Sequence, residues 1–385
     1  MMKELILKNL GQIKKAQINF GDLTLFLGPQ ATGKTLVLQI IKLLLDSASI
    51  VSFSHKYGYD WEGDTGKFLD FYLGDGMRSV WNKTTEISFD NSPPVDLEKL
   101  LKNKSQKKEE QLFFMPAQRV LTLANGWPKL FTDFEVGDPY VVRHFSNHIH
   151  QLIQKTGSGN QGGLIFPQKS RLKQELRDAL DRSIFHGAQV ELNTTGMRKR
   201  IQINIEGNTL SFMTWSAGQR EFMPLLLGLH WLIPASKASK KQHIKWVVIE
   251  EPEMGLHPQA ILSVILMCLE LLHRGYRLII STHSPVLLEA VWAIRSLKEQ
   301  GCSPDYFYQL FSLKKSTPIT ELFESIIPMN FLSYYFEPQN DGVEVRNISS
   351  LDPFDEDSAI SNWGGLTSFS SQVSEVVSRA VQESL

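Results

Sequence analysis

The chain opens on alternating apolar and polar positions. "ELILKNLGQIKKAQINFGDLTLFLG", Glu4 to Gly28, breaks at Gly11 and Gly21 and predicts short strands. "LVLQIIKLLLD" after Thr35 is apolar nearly all round, the mark of a buried helix. Ile50 to Gly76 is aromatic and glycine-rich with weak periodicity. Leu101 to Gln111 is a charge run, expected as a solvated loop or helix end, and "QLFFMPAQRV" returns to strand character until Pro116.

Further on, "VVRHFSNHIHQLIQK" and "KSRLKQELRDALDRSIFHG" carry helical spacing, separated by the glycine-rich "TGSGNQGG". "AQVELNTTGMRKRIQINIEGNTLSF" reads as strands and turns. "EFMPLLLGLHWLI" is a buried helix, "PASKASKKQH" a polar linker, "IKWVVIEEPE" a buried strand ending in acids. A helix, "PQAILSVILMCLELLHRG", leads to another buried strand, "YRLIISTHS". The tail offers a hairpin, "YYFEPQNDGVEVRNI", turning at Asn340-Asp341-Gly342, and a closing helix, "SSQVSEVVSRAVQESL". Buried strands alternating with helices predict an α/β fold with a mostly parallel sheet. The expected units are residues 1–125, a helical insertion over 126–195 suited to self-association or partner docking, 196–300, and a C-terminal extension over 301–385.

Composition narrows this picture. With 385 residues, 42% hydrophobic and 21% charged, the chain can bury a large core. A net charge of −1 supplies no global attraction for nucleic acid. Two cysteines, Cys268 and Cys302, form neither a disulfide framework nor a zinc spacing. No apolar run nears the ~18 residues of a membrane span, so a cytoplasmic protein with no membrane partner is expected.

Gly28-Pro29-Gln30-Ala31-Thr32-Gly33-Lys34-Thr35 joins a predicted strand to a predicted helix. This is the context that makes G-x-x-x-x-G-K-T a phosphate cradle. Its glycines let backbone N–H groups wrap phosphate oxygens, Lys34 reaches the β and γ phosphates, and the Thr35 hydroxyl suits Mg²⁺. In "WVVIEEPE", Glu250 ends a buried strand as a candidate Mg²⁺ ligand, and Glu251 is a candidate general base. In "LIISTHSP", His283 is placed to sense a γ-phosphate. Ser216-Ala217-Gly218-Gln219 starts a buried helix about 30 residues before the acid strand, a second anion-friendly helix start.

As a set, these stretches resemble the ABC-type ATPases of the SMC/RecF class, and more closely the OLD-like AAA15/AAA21-type ATPases of bacterial defence loci. Gly28–Thr35 matches Walker A, "SAGQ" the signature, "VVIEEPE" Walker B with its glutamate, "GLHP" (Gly255 to Pro258) the D-loop and "STHS" the switch histidine. "FFMPAQR" resembles the Q-loop strand, with Gln118 as its glutamine. Glu250 stands where transporters carry Asp, and Trp215 replaces the signature's usual leading leucine.

The resemblance implies an ABC-ATPase head: a P-loop fold with a mostly parallel sheet, an antiparallel β subdomain and the helical insertion. It implies ATP held by Gly28, Gln30, Ala31, Thr32, Gly33, Lys34, Thr35 and Leu36 of one head and by Ser216, Gly218 and Gln219 of the other. It assigns Mg²⁺ to Thr35, Glu250 and Gln118, and catalysis to Glu251, His283 and Gln118. It further implies a head-to-tail homodimer or higher homo-oligomer. Its partner would be a nuclease or toxin effector from a neighbouring gene, triggered by DNA or a phage protein. A RecF-like DNA-maintenance ATPase is the alternative. That reading needs a basic groove, with "MRKR" (Met197 to Arg200) and "KSRLK" (Lys169 to Lys173) as candidates. A transporter subunit fits the insertion and tail poorly. "DPFDED", Asp352 to Asp357, reads as a solvated turn.

Overall fold

A computed structural model describes residues 2–102, 109–156, 163–193, 199–234 and 241–383. Nine strands form one sheet. In spatial order they are Glu86–Phe89, Glu4–Leu10, Ile13–Asn19, Gly342–Asn347, Phe331–Gln339, Leu23–Leu27, Arg277–Ser281, Trp246–Glu250 and Leu112–Met115. The last five run parallel to one another, and the remaining pairings are antiparallel except that of Gly342–Asn347 with Ile13–Asn19. The sheet is therefore mostly parallel, as the alternating pattern predicts.

Leu23–Leu27, Leu112–Met115 and Trp246–Glu250 are buried at every position, because helices cover both faces. Phe26, Phe114, Val248 and Ile279 join the core that contains helix Lys34–Lys56. Their neighbours Leu25, Phe113, Ile249 and Ile280 join the opposite core, with helices Ala217–Leu232, Pro258–His273 and Pro285–Glu299. The strand period of two thus feeds both cores, and each fully buried large side chain contributes roughly 1.5–3 kcal/mol. A second sheet is antiparallel, ordered Asn208–Ser211, Arg200–Ile205, Gln189–Asn193, Leu164–Phe166.

Helix Lys34–Lys56 is longer than its apolar run suggests and bends at Asp46, whose φ is −126°. It is long and apolar enough to cross a membrane, but 67% of that stretch is buried inside the protein, so the core accounts for its composition. Helix Thr65–Leu73 occupies part of the weakly periodic segment and is N-capped by Asp64.

Two expectations change. Helix Tyr140–Thr156 is buried throughout residues 140–150 and runs beside the edge strand Leu112–Met115. Its Tyr140 joins one core and its Phe145 the other. This part of the expected insertion therefore packs along the sheet edge and belongs to the core. The residues after 300 do not stand apart as an extension. Their hairpin, Phe331–Gln339 and Gly342–Asn347, lies within the sheet between Leu23–Leu27 and Ile13–Asn19. The closing helix, Ser368–Glu383, leaves Phe369, Val373, Val376, Val377 and Val381 exposed. Most of "TGSGNQGG", the linker core 235–240, residues 103–108 of the charge run, and Met197 and Arg198 of "MRKR" lie outside the described residues.

Candidate nucleotide site

Strand Leu23–Leu27 ends at Gly28, whose φ is +138° and where a Cβ would meet the Phe336 carbonyl oxygen at 2.7 Å. The loop continues through Ala31 at φ +59° and Gly33 at φ +91°. Left-handed residues beside right-handed ones turn successive N–H groups to one side, an anion-binding concavity. Gln30 and Ala31 are exposed on this loop, whereas Thr32 is buried and donates from Oγ1 to the Pro29 carbonyl at 2.8 Å. Lys34 curls back, donating from Nζ to the carbonyls of Gly28 at 2.8 Å and Pro29 at 2.7 Å. Burial lowers its pKa to about 8, against the opposing charges of Glu251 and Glu250. Gly33 caps helix Lys34–Lys56 without a side-chain bond, so the helix's first N–H groups stay open to an anion. Leu36, one turn in, is buried.

Glu250, at the C-terminal end of its strand, is 1% exposed. Its Oε2 accepts from the Ala117 N–H at 3.2 Å, and the Thr35 hydroxyl also bonds the carboxyl. Burial raises its pKa to about 7 despite those two bonds. Its Oε1 is buried without a partner. A desolvated carboxylate with an orphaned oxygen beside a hydroxyl is a donor set that fits Mg²⁺. Gln118 follows Ala117 and is exposed.

Glu251 adopts φ +43°, a left-handed conformation rare outside glycine. Its N–H donates to the Ser281 carbonyl at 2.8 Å, which ties it to the next strand. Its Oε1 lies 3.6 Å from Nε2 of His283. Burial lowers the His283 pKa, the Lys34 charge adds to this, and Glu251 opposes it. Lys34, Thr35, Glu250, Glu251 and His283 thus meet at the C-terminal ends of three adjacent parallel strands, where open α/β sheets bind ligands.

Ser216 belongs to a different arrangement. It caps helix Ala217–Leu232, accepting from the Gln219 N–H at 3.2 Å, while Gln219 Oε1 accepts from the Ser216 N–H at 3.2 Å. Gln219 also donates to the Ile184 carbonyl at 3.2 Å, so its side chain is spent within this fold. At Gly218 a Cβ would approach the Gly255 carbonyl oxygen to 2.9 Å, which binds the signature-like turn tightly to the D-loop-like one. The bonds of Ser216 are made within its own cap, not to the Lys34 loop. Of the basic stretches, "KSRLK" is partly internal. Arg171 donates to the carbonyls of His230 and Ile233, and Lys173 pairs with Glu270.

Two functional candidates escape sequence reasoning. Glu253 Oε1 accepts from the Thr282 hydroxyl at 2.7 Å and from the His283 N–H at 2.6 Å, which fixes the histidine's backbone. The third acid of "EEPE" was its only signal. Arg119 is fully buried, with its guanidinium on the carbonyls of Glu250 at 2.8 Å and Glu251 at 3.0 Å. Its signal was adjacency to Gln118. A third cluster, Glu110 with His144 and His148, brings its ligand-type atoms within 4.8 Å of one another. Lys42 Nζ donates to Glu110 at 2.6 Å there, so an ammonium already neutralises the carboxylate.

Among known proteins, the family described as "AAA domain, putative AbiEii toxin, Type IV TA system" matches residues 69–289. The family described as "AAA ATPase domain" matches residues 1–118. Similar solved structures include the SMC head domain from Thermotoga maritima. It is 13% identical with TM-score 0.37, over 90% of this chain and 98% of that one. Another is the SMC head bound to the C-winged helix domain of ScpA, 10% identical with TM-score 0.44, over 90% of this chain and 97% of that one. No curated protein matches as a relative. The first family match spans more than half of the 385 residues, and the chain belongs to that AAA-domain family.

Proposed function

We propose that this chain binds and hydrolyses ATP as an ABC-type head that pairs head to tail with a second copy, and that this cycle regulates a separate nuclease or toxin effector in anti-phage defence. The observation that carries the ATPase reading is the convergence on one sheet end of the Lys34 loop, the Thr35–Glu250 bond with its orphaned oxygen, and the Glu251–His283 pair. Mg²⁺ would rest on Thr35, Glu250 and Gln118 and shield phosphate charge. Lys34 would hold the β/γ bridge, Glu251 would accept a proton from water, and His283 would hold the γ-phosphate.

Ser216 bonds within its own cap and not to that loop, which supports a composite site. The cap takes the Ser216 and Gln219 N–H groups, so the Ala217 and Gly218 N–H groups at this helix start would be the ones offered to a second molecule's phosphate. The effector role rests on resemblance to the ATPase subunits of two-gene defence systems. The inward use of Arg171 and Lys173 weakens the DNA-groove alternative.

Complementation tests the pairing. Lys34→Ala lacks the cradle and Ser216→Arg blocks the partner's phosphate, so each alone should be inactive. Their mixed dimer has one intact site. With random pairing about half the dimers are mixed, and roughly a quarter of wild-type ATPase rate should return. No recovery, even when both variants are tethered in one chain, would remove the head-to-tail arrangement.

A further inference from the structure

Arg119 sits where three segments of the chain meet. Its Nη1 donates to the Glu250 carbonyl at 2.8 Å and to the Pro116 carbonyl at 3.4 Å. Nη2 donates to the Glu251 carbonyl at 3.0 Å, and Nε to the Glu221 carbonyl at 3.3 Å. The side chain is fully buried. Among the described residues no carboxylate oxygen accepts from it, although Glu221, Glu253, Glu251 and Glu250 all exert their charge on it. A buried guanidinium is costly unless its fork is satisfied, and here the fork is spent on backbone.

Those carbonyls have distinct addresses. Pro116 precedes Gln118. Glu250 and Glu251 are the two acids, the second of them in a left-handed conformation at φ +43°. Glu221 lies in the second turn of the helix that Ser216 caps. The Glu221 side chain also lies against Gly255, where a Cβ would come within 3.0 Å of its Cγ. The planar fork therefore ties the start of the signature-like helix to the backbone of the base.

Building on the ATPase reading above, we propose that Arg119 is a positioning residue for hydrolysis. It holds the Glu251 backbone in its left-handed conformation and makes the aim of that carboxylate depend on the position of helix Ala217–Leu232. A shift of that helix when Ser216 engages a phosphate is delivered through one rigid group to Glu251. A lysine at this position could reach one or two of the carbonyls as a point donor but could not span both segments.

Arg119→Lys separates this role from mere support. In the purified full chain, ATP affinity measured by calorimetry should stay within about threefold of wild type. The single-turnover hydrolysis rate should fall by about tenfold or more, because misaiming a base costs rate and not binding. An unchanged rate overturns the proposal, and so does a loss of affinity equal to the loss of rate. Hydrogen exchange in the wild-type protein gives a second measurement that needs no variant. ATP should protect the amides of Arg220, Glu221 and Phe222 together with those of Glu251, Glu253 and Met254, and protection of one segment alone also overturns the coupling. Failure of the ATPase reading looks different, since wild type would then hydrolyse nothing.

Discussion

The parallel strands carry a cluster of buried charge at each end, and the two are built on opposite principles. At the C-terminal ends Glu250, Glu253 and Glu221 each keep a buried carboxylate oxygen with no partner, and Arg119 spends itself on backbone carbonyls. At the N-terminal end of Leu112–Met115, Lys42 donates to Asp46 at 2.7 Å, Glu110 at 2.6 Å and the Leu112 carbonyl at 2.5 Å. Asp46 in turn accepts the N–H groups of Gln111 at 2.7 Å and Leu112 at 3.1 Å, and Glu110 takes His148 at 2.9 Å. One helix serves both clusters. Lys34 opens it at the cradle, and Lys42 lies eight residues on, about 12 Å down the axis. The closed cluster locks the bent helix to the edge strand. The open one keeps unmet acceptors that a cation would complete. A satisfied network rigidifies, while unpartnered buried acids call for a reason, which a bound cation would give at the C-terminal ends of the strands.

The largest effect is expected at Lys34. Lys34→Ala should abolish ATP binding by calorimetry while leaving the melting temperature near wild type, because no other loop residue supplies a cation there. Wild-type affinity would mean that the open end is not a nucleotide site.

Within the open cluster the two adjacent acids should separate. Glu251→Gln should keep ATP affinity and lower kcat by about 100-fold or more, since the amide accepts no proton. Glu250→Gln should instead shift the Mg²⁺ concentration needed for binding upward. Identical phenotypes would mean that the acids share one role.

The closed cluster should answer in stability. Lys42→Ala leaves Asp46 and Glu110 buried beside each other without their cation, and should cost about 3–5 kcal/mol in denaturant unfolding. The hydrolysis rate of the folded fraction should stay unchanged. A loss of activity at full stability would show that the two ends are not separate devices.

Legibility in the sequence followed the same divide. The candidate cradle, the acids and His283 lie on short contiguous stretches, so the chain shows them as candidates directly, and the structure brings them to one end of the sheet. The α/β alternation was equally readable, because buried strands and apolar helices differ in period. Arg119 was not, since three of its four partners lie 102 to 132 residues away in sequence. The same holds for the hairpin of 331–347, whose internal turn is local but whose place beside Leu23–Leu27 is not. Glu110 differs from its sequence pattern for a related reason. Read as part of a solvated charge run, it is drawn inward by Lys42 from a helix 68 residues earlier. The helical spacing of Tyr140–Thr156 is readable, but the burial of its histidines His144 and His148 is not. They are buried against Phe53, Phe113, Tyr140 and Trp231.

The smallest effect expected is a pH slope from the closed cluster. Burial holds the His144 pKa well below 6.5, the His148 and Lys42 charges push the same way, and Glu110 opposes them. The folded state therefore refuses a proton that the unfolded chain accepts below about pH 6.5, and stability falls as pH drops from there. Burial alone would raise the Glu110 pKa, but Lys42, His148 and His144 outweigh it and hold it well below 4.5. Its contribution is present above about pH 4.5 and is lost only as pH falls through the depressed value. Asp46 works the other way, since burial raises its pKa and acid then favours the folded state. The difference between two proteins, not the wild-type slope, isolates the histidine. His144→Phe keeps a ring against Phe53 and Tyr140 and removes the titration. Between pH 7 and pH 5 wild type should lose about 1–2 kcal/mol more than the variant in denaturant unfolding. Parallel slopes would mean that His144 takes up its proton in the folded protein, and the cluster would then be open to protons after all.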